Sequence, residues 1–150
     1  DAYNGRYIKP CTVNFFNAAS GAETVLIQNG ADSLLFGGAA DLLVYTGHDG
    51  LMDFTLEQRF LKKNNQKREA IMLACYSKHY FSGYLKATGC IPVIWSTGLM
   101  APEAYILHAA LRDWTNQKSY EQIRVSAAQA YATYQHCSFK AARNLLVTGY

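Results

Sequence analysis

A histidine and a cysteine in this chain each close a short apolar run. His48 follows Leu42-Leu43-Val44-Tyr45-Thr46-Gly47, and Cys75 follows Ala70-Ile71-Met72-Leu73-Ala74. Runs of this length, bounded by turn residues, fit strands buried in a parallel sheet. In open α/β sheets the working groups sit just past the carboxyl ends of the strands. An imidazole at one such end and a thiol at another are the parts of a nucleophile and its general base. Cysteine attacks as the thiolate, and a helix starting near Ser77 would favour that anion through its dipole. Gly50 carries no side chain, so its N–H can approach a substrate carbonyl and, with the N–H of Cys75, form an oxyanion hole. Such donors are worth roughly 2.7–4 kcal/mol each in other enzymes.

Plainer readings stand beside these. A cysteine closing an apolar strand is commonly a small buried hydrophobe, and a histidine at a strand end commonly caps a loop. Cys75 and His79 are four residues apart, a helical spacing that with His48 would supply three ligands to zinc; no fourth ligand is evident. Asp53 would orient His48, meet a basic substrate side chain, or serve as a solvated turn carboxylate. Ser96 and Thr97 fit loop-capping hydroxyls. His108, His136, Trp95 and Trp114 read as structural.

The elements that must position the pair follow from periodicity and breakers. A helix is expected from about Pro10, with proline at its first position and Gly21 as its C-cap. Thr24 to Gln28 reads as a short edge strand before an Asn29-Gly30 turn, and Ser33 to Gly38 as either helix or strand. Leu42 to Thr46 is a strand, and Leu51 to Phe54 a short extended piece. Thr55-Leu56-Glu57-Gln58 has the form of a capping box, which predicts a helix with Leu56 and Phe60 on one face and Lys62-Lys63 at its end. Further strands are expected at Ala70 to Ala74 and Ile91 to Trp95. Helices are expected at Ser77 to Lys86, from Pro102-Glu103 with Ala104, Leu107, Leu111 and Trp114 buried, and from Ser119 to Gln135. The last of these would bury Tyr120, Ile123, Ala127, Ala130 and Tyr134. The tail from Cys137 would add a short helix. Alternation of strand and helix predicts an α/β domain whose sheet is mostly parallel.

Composition narrows the function classes. At 150 residues the chain suits one domain with a sizeable core, 1–150, its first strand lying upstream of Asp1. Half the residues are apolar and 17% charged, which is a globular balance. The net charge of +3 is too mild for a nucleic-acid surface. The basic cluster Lys62-Lys63 to Lys67-Arg68 reads as a solvated loop. No apolar run reaches the roughly 18 residues of a membrane span. Cys11, Cys75, Cys90 and Cys137 are too sparse for a disulfide scaffold and lack zinc-finger spacing. A start on Asp1 rather than Met suggests a processed product and leans toward export.

The pair Val44-Tyr45-Thr46-Gly47-His48-Asp49-Gly50 and Ile71-Met72-Leu73-Ala74-Cys75 resembles the caspase-like (clan CD) cysteine peptidases, which include caspases, legumains, gingipains, clostripain and separase. The likeness covers about residues 40 to 96. It implies a caspase-like three-layer α/β/α sandwich with a mostly parallel central sheet, and a peptidase of bacterial type. His48 would be general acid/base, Cys75 the nucleophile and Gly50 an oxyanion donor, acting on a peptide or protein without metal or organic cofactor. The loop after the third strand, Ser96-Thr97, would line the first specificity pocket. The family has glycine directly after the histidine, where this chain has Asp49. The alternative expectation is an inactive caspase-like domain that binds a partner protein; a third is a zinc hydrolase on His48, Cys75 and His79.

Overall fold

The computed structural model describes residues 2–150. The chain gathers into two compact units. The first takes the stretch through Leu43, Gly50–Ala70 and Tyr80–Ile91; the second takes Val44–Asp49, Ile71–His79 and Pro92–Tyr150.

In the first unit, helix α1 (Ile8–Ser20) follows a 3-10 turn at Gly5–Tyr7 and begins two residues before the expected Pro10. Gly21 ends it in the left-handed region at φ 82°, as expected of a C-cap. α1 contributes Phe16, fully buried, to an aromatic cluster whose ring centroids lie 5.1 Å from Phe60, 5.2 Å from Tyr84 and 5.4 Å from Phe81. Strands β1 (Thr24–Asn29) and β2 (Asp32–Gly37) form an antiparallel hairpin with Val25 opposite Phe36 and Ile27 opposite Leu34. The ambiguous 33–38 stretch is therefore a strand, and the expected edge strand belongs to a separate two-stranded sheet.

Three expectations fail in this unit. Leu51 to Phe54 is not extended: Gly50–Met52 is a 3-10 turn, with the Asp53 and Phe54 amides donating to the Gly50 carbonyl. The capping box at Thr55 opens no helix. The Leu56 carbonyl, which a helix would pair with Phe60, accepts instead from the Tyr84 hydroxyl at 3.1 Å, and that oxygen also takes the Leu56 N–H. Leu56 and Phe60 are buried all the same, so the apolar pair reaches the core without a helix. The basic cluster is split: Lys62, Lys63 and Lys67 are exposed, but Arg68 is 1% exposed. Its Nε donates to the Gly38 carbonyl at 2.6 Å and its Nη2 to Asn64 Oδ1 at 2.9 Å, so the charge is buried among oxygen acceptors.

The principal sheet has the order β3 (Leu42–Thr46), β4 (Glu69–Leu73), β5 (Ile91–Ser96) and β6 (Leu146–Val147). Asp41 O accepts from Glu69 N, and further along Leu73 O accepts from Gly47 N. Residue numbers rise together, so β3 and β4 run parallel. The sheet is mostly parallel, and the fold is mixed α/β. β6, absent from the sequence reading, runs antiparallel to β5 with Ser96 opposite Leu146. Residues 70–73 of β4 and 93–95 of β5 are entirely buried, which is why both read as unbroken apolar runs.

In the second unit, α2 (Ser77–Thr88) starts just past β4 and runs on into the first unit's residues. α3 (Ala104–Thr115) and α4 (Tyr120–Tyr134) pack together, and α5 (Phe139–Leu145) leads into β6. The capping box that does form is at Ser119, whose side chain takes the Gln122 N–H while Gln122 reaches back. The buried stripes differ from expectation. α3 buries Ile106, Ala109 and Ala110 rather than Ala104, Leu107, Leu111 and Trp114. α4 keeps Ile123 and Ala127 inside and adds Ala128, Tyr131 and Ala132, while Tyr134 is exposed. Both helices bury alanines on their inward faces, Ala109 and Ala110 on α3 and Ala127, Ala128 and Ala132 on α4.

Candidate functional site

The Gly47 N–H donates to Leu73 O at 3.0 Å, tying the residue before His48 to the last residue of β4. His48 and Cys75 therefore leave neighbouring parallel strands at their carboxyl ends. His48 is exposed, and Cys75 is partly buried. The Tyr45 hydroxyl, from a nearly buried side chain, donates to the His48 carbonyl at 2.9 Å and fixes the backbone of the turn. Asp49, where the resembled family has glycine, is fully buried.

Cys75 is held by the main chain of Met100, a residue that the sequence reading did not single out. The Met100 N–H donates to Sγ at 3.4 Å, and the thiol reaches the Met100 carbonyl at 3.5 Å. These contacts involve backbone atoms, so residue type at position 100 carries no signal of them. Tyr76, directly after the cysteine, adopts φ 49°, a left-handed conformation that is uncommon for a residue with a Cβ. Its N–H donates to Gly98 O at 2.9 Å, which holds the turn between β4 and α2.

Behind the thiol lies a buried pair of hydroxyls. Ser96 Oγ donates to Ala74 O at 2.5 Å and accepts the Ser77 N–H at 3.2 Å; Ser77 Oγ accepts the Ser96 N–H at 2.9 Å and donates to Met72 O at 3.1 Å. Ser96 thus caps the first turn of α2 from the adjacent strand, with both serines fully buried. Thr97 Oγ1 donates to Asn144 O at 3.0 Å. Both hydroxyls donate to backbone carbonyls, as the loop-capping reading of these residues expects.

Gly50 belongs to the first unit and is buried there. A Cβ on it would lie 2.7 Å from Ile8 Cγ1 and 2.8 Å from Phe54 Cζ, so packing alone requires glycine at this position. Asp53, in the same unit, is exposed. His108 and His136, expected as structural, are exposed, whereas Trp95 is fully buried as expected, with the Lys78 ammonium 5.4 Å above its ring. Trp114 is only partly buried.

Among the described residues no group of three or more His, Cys, Asp or Glu side chains is arranged to hold a metal ion, so His48, Cys75 and His79 do not assemble a zinc site. All four cysteines are free thiols. Burial pushes the Cys90 thiol up to about 12 and raises that of Cys11 as well, which keeps both protonated near neutral pH. Among the described residues no helix is long and apolar enough to cross a membrane. Comparison with protein-family models, with curated proteins and with solved structures finds no match to this chain.

Proposed function

We propose that the protein is a cysteine peptidase built on a caspase-like three-layer α/β/α sandwich, with Cys75 as nucleophile and His48 as general acid/base. The observation that supports this most is the placement of both residues just past the carboxyl ends of adjacent parallel strands, tied by the Gly47–Leu73 hydrogen bond. His48 takes the Cys75 proton, and the sulfur adds to the peptide carbonyl carbon. The backbone N–H of Cys75 steadies the resulting oxyanion. Collapse breaks the C–N bond, and the imidazolium gives its proton to the departing amine. Water, deprotonated by His48, then cleaves the thioester and restores the thiol. General acid/base help of this kind contributes about 10²–10⁴-fold.

A second reading, a catalytically silent domain that binds a partner protein, has one observation in its favour. The Cys75 thiol donates to the Met100 carbonyl at 3.5 Å, a main-chain contact that structural packing alone would also supply. A positional peptide library profiled against the wild type, Cys75→Ala and His48→Ala separates the two. A peptidase cleaves a subset of the library and loses all cleavage in both variants. Absence of cleavage by the wild type, together with slow labelling of Cys75 by iodoacetamide near neutral pH, refutes the enzyme reading.

A further inference from the structure

The segment from Thr97 to Pro102 is pinned at nearly every residue. Thr97 N–H donates to Leu145 O at 2.9 Å, and Gly98 O accepts from Tyr76 N at 2.9 Å. Ala101 N–H reaches the Tyr131 hydroxyl at 3.4 Å, and Pro102 O accepts from Thr46 Oγ1 at 3.4 Å. Between these anchors Leu99 turns its side chain outward, 66% exposed, while Met100 is buried at 8%. What the segment presents to Cys75 is the main chain of Met100, with N–H and C=O both directed at one sulfur.

The two contacts respond differently to the proton. A carbonyl accepts from the sulfur only while the S–H is present. An N–H donates to sulfur in either state, and more strongly to the anion, because charge-assisted hydrogen bonds are about twice as strong as neutral ones. When the proton leaves, the sulfur keeps its donor and loses its acceptor. We infer that the Met100 backbone N–H is a positioning donor for the Cys75 thiolate, holding the sulfur in one place through the loss of its proton. The inference rests on Cys75 being the reactive thiol of the proposed site, and it adds to the dyad a third participant, recruited through backbone from the loop after β5.

The test reads the thiol directly. In uniformly ¹⁵N-labelled protein the Met100 amide resonance is followed through a pH titration, and the rate of Cys75 alkylation by iodoacetamide is measured by mass spectrometry over the same range. The Met100 amide proton is expected to move downfield with the same midpoint as the alkylation profile, and Cys75→Ala to abolish that movement. Met100→Pro deletes the N–H and is expected to slow Cys75 alkylation at pH 7 by about threefold to tenfold, the equivalent of one ordinary hydrogen bond. Met100→Ala, which keeps the N–H, restores the rate. A Met100 amide that stays still while the thiol ionises overturns the inference. So does a folded Met100→Pro variant alkylated at the wild-type rate. Should Met100→Pro fail to fold, the wild-type titration decides alone. If the wild type cleaves no peptide while the amide still tracks the thiol, the peptidase reading falls and the Met100 assignment stands.

Discussion

Replacing Ser96 with alanine removes one hydroxyl from the place where β4 ends, α2 begins and β5 ends. The loss strands two buried groups. Ser77 N–H, in the first turn of α2, loses its acceptor at 3.2 Å, and Ala74 O loses a donor at 2.5 Å. Gly98 O keeps the Tyr76 N–H, and Ser77 Oγ keeps Met72 O, so the damage stops at two. An orphaned buried donor or acceptor costs about 1–3 kcal/mol. The sum is about 2–4 kcal/mol once some relaxation is allowed, equivalent to a Tm lower by roughly 5–15 °C for a chain of this size. Urea unfolding followed by tryptophan fluorescence measures it, because Trp95 and Trp114 both lie in the second unit and report on it. Thr97→Ala, whose hydroxyl serves an exposed contact, should cost less than about 1 kcal/mol. A Ser96→Ala cost below about 0.5 kcal/mol would refute the assignment of the serine pair as the clamp behind Cys75.

Gly50→Ala should destabilise the first unit by about 1–3 kcal/mol, because its methyl would overlap Ile8 and Phe54; circular dichroism melts measure this, and a neutral result would contradict the packing account. Cys90 should resist alkylation in the native protein at pH 8 and react at once in denaturant, as site-resolved mass spectrometry would show. Because burial pushes its thiol up to about 12, the folded state holds that proton while the unfolded chain releases it. Stability from this group is therefore complete below about pH 8.5 and drains as pH climbs toward 12. Arg112 and then Ser126 hold the Asp113 carboxyl below the usual range, and Arg124 and then Arg143 do the same for Glu121. Their contribution, screened by solvent most of all at the exposed Glu121, is present above about pH 4 and is lost as the carboxyls take up protons below it. The Tm gap between wild type and Glu121→Gln should accordingly close between pH 5 and about pH 3; a gap that widens on acidification would rule this out.

Strands β4 and β5 were legible because a strand buried in a parallel sheet writes itself as an unbroken apolar run, and β3, Leu42–Thr46, is matched residue for residue although only its Tyr45 is buried. The Gly21 stop was legible because the residue sits at positive φ, where glycine has no steric penalty. The capping box at Thr55 misled for the opposite reason. Local spacing scores a helix start, but the Tyr84 hydroxyl, 28 residues away, offered the Leu56 backbone a better partner. β6 spans two residues, too short to show any period.

By itself the sequence determined the sheet-forming runs, the mixed α/β class and the presence of a histidine and a cysteine at strand ends, all of which follow from local pattern. Tertiary structure decided which of two overlapping faces α3 buries, why Arg68 leaves the solvent, and which atoms surround the thiol. The Met100 amide and the Ser77–Ser96 clamp are backbone and hydroxyl contacts between residues 19 and 25 positions apart. No side-chain alphabet encodes a main-chain donor, so only the folded chain reveals where it points.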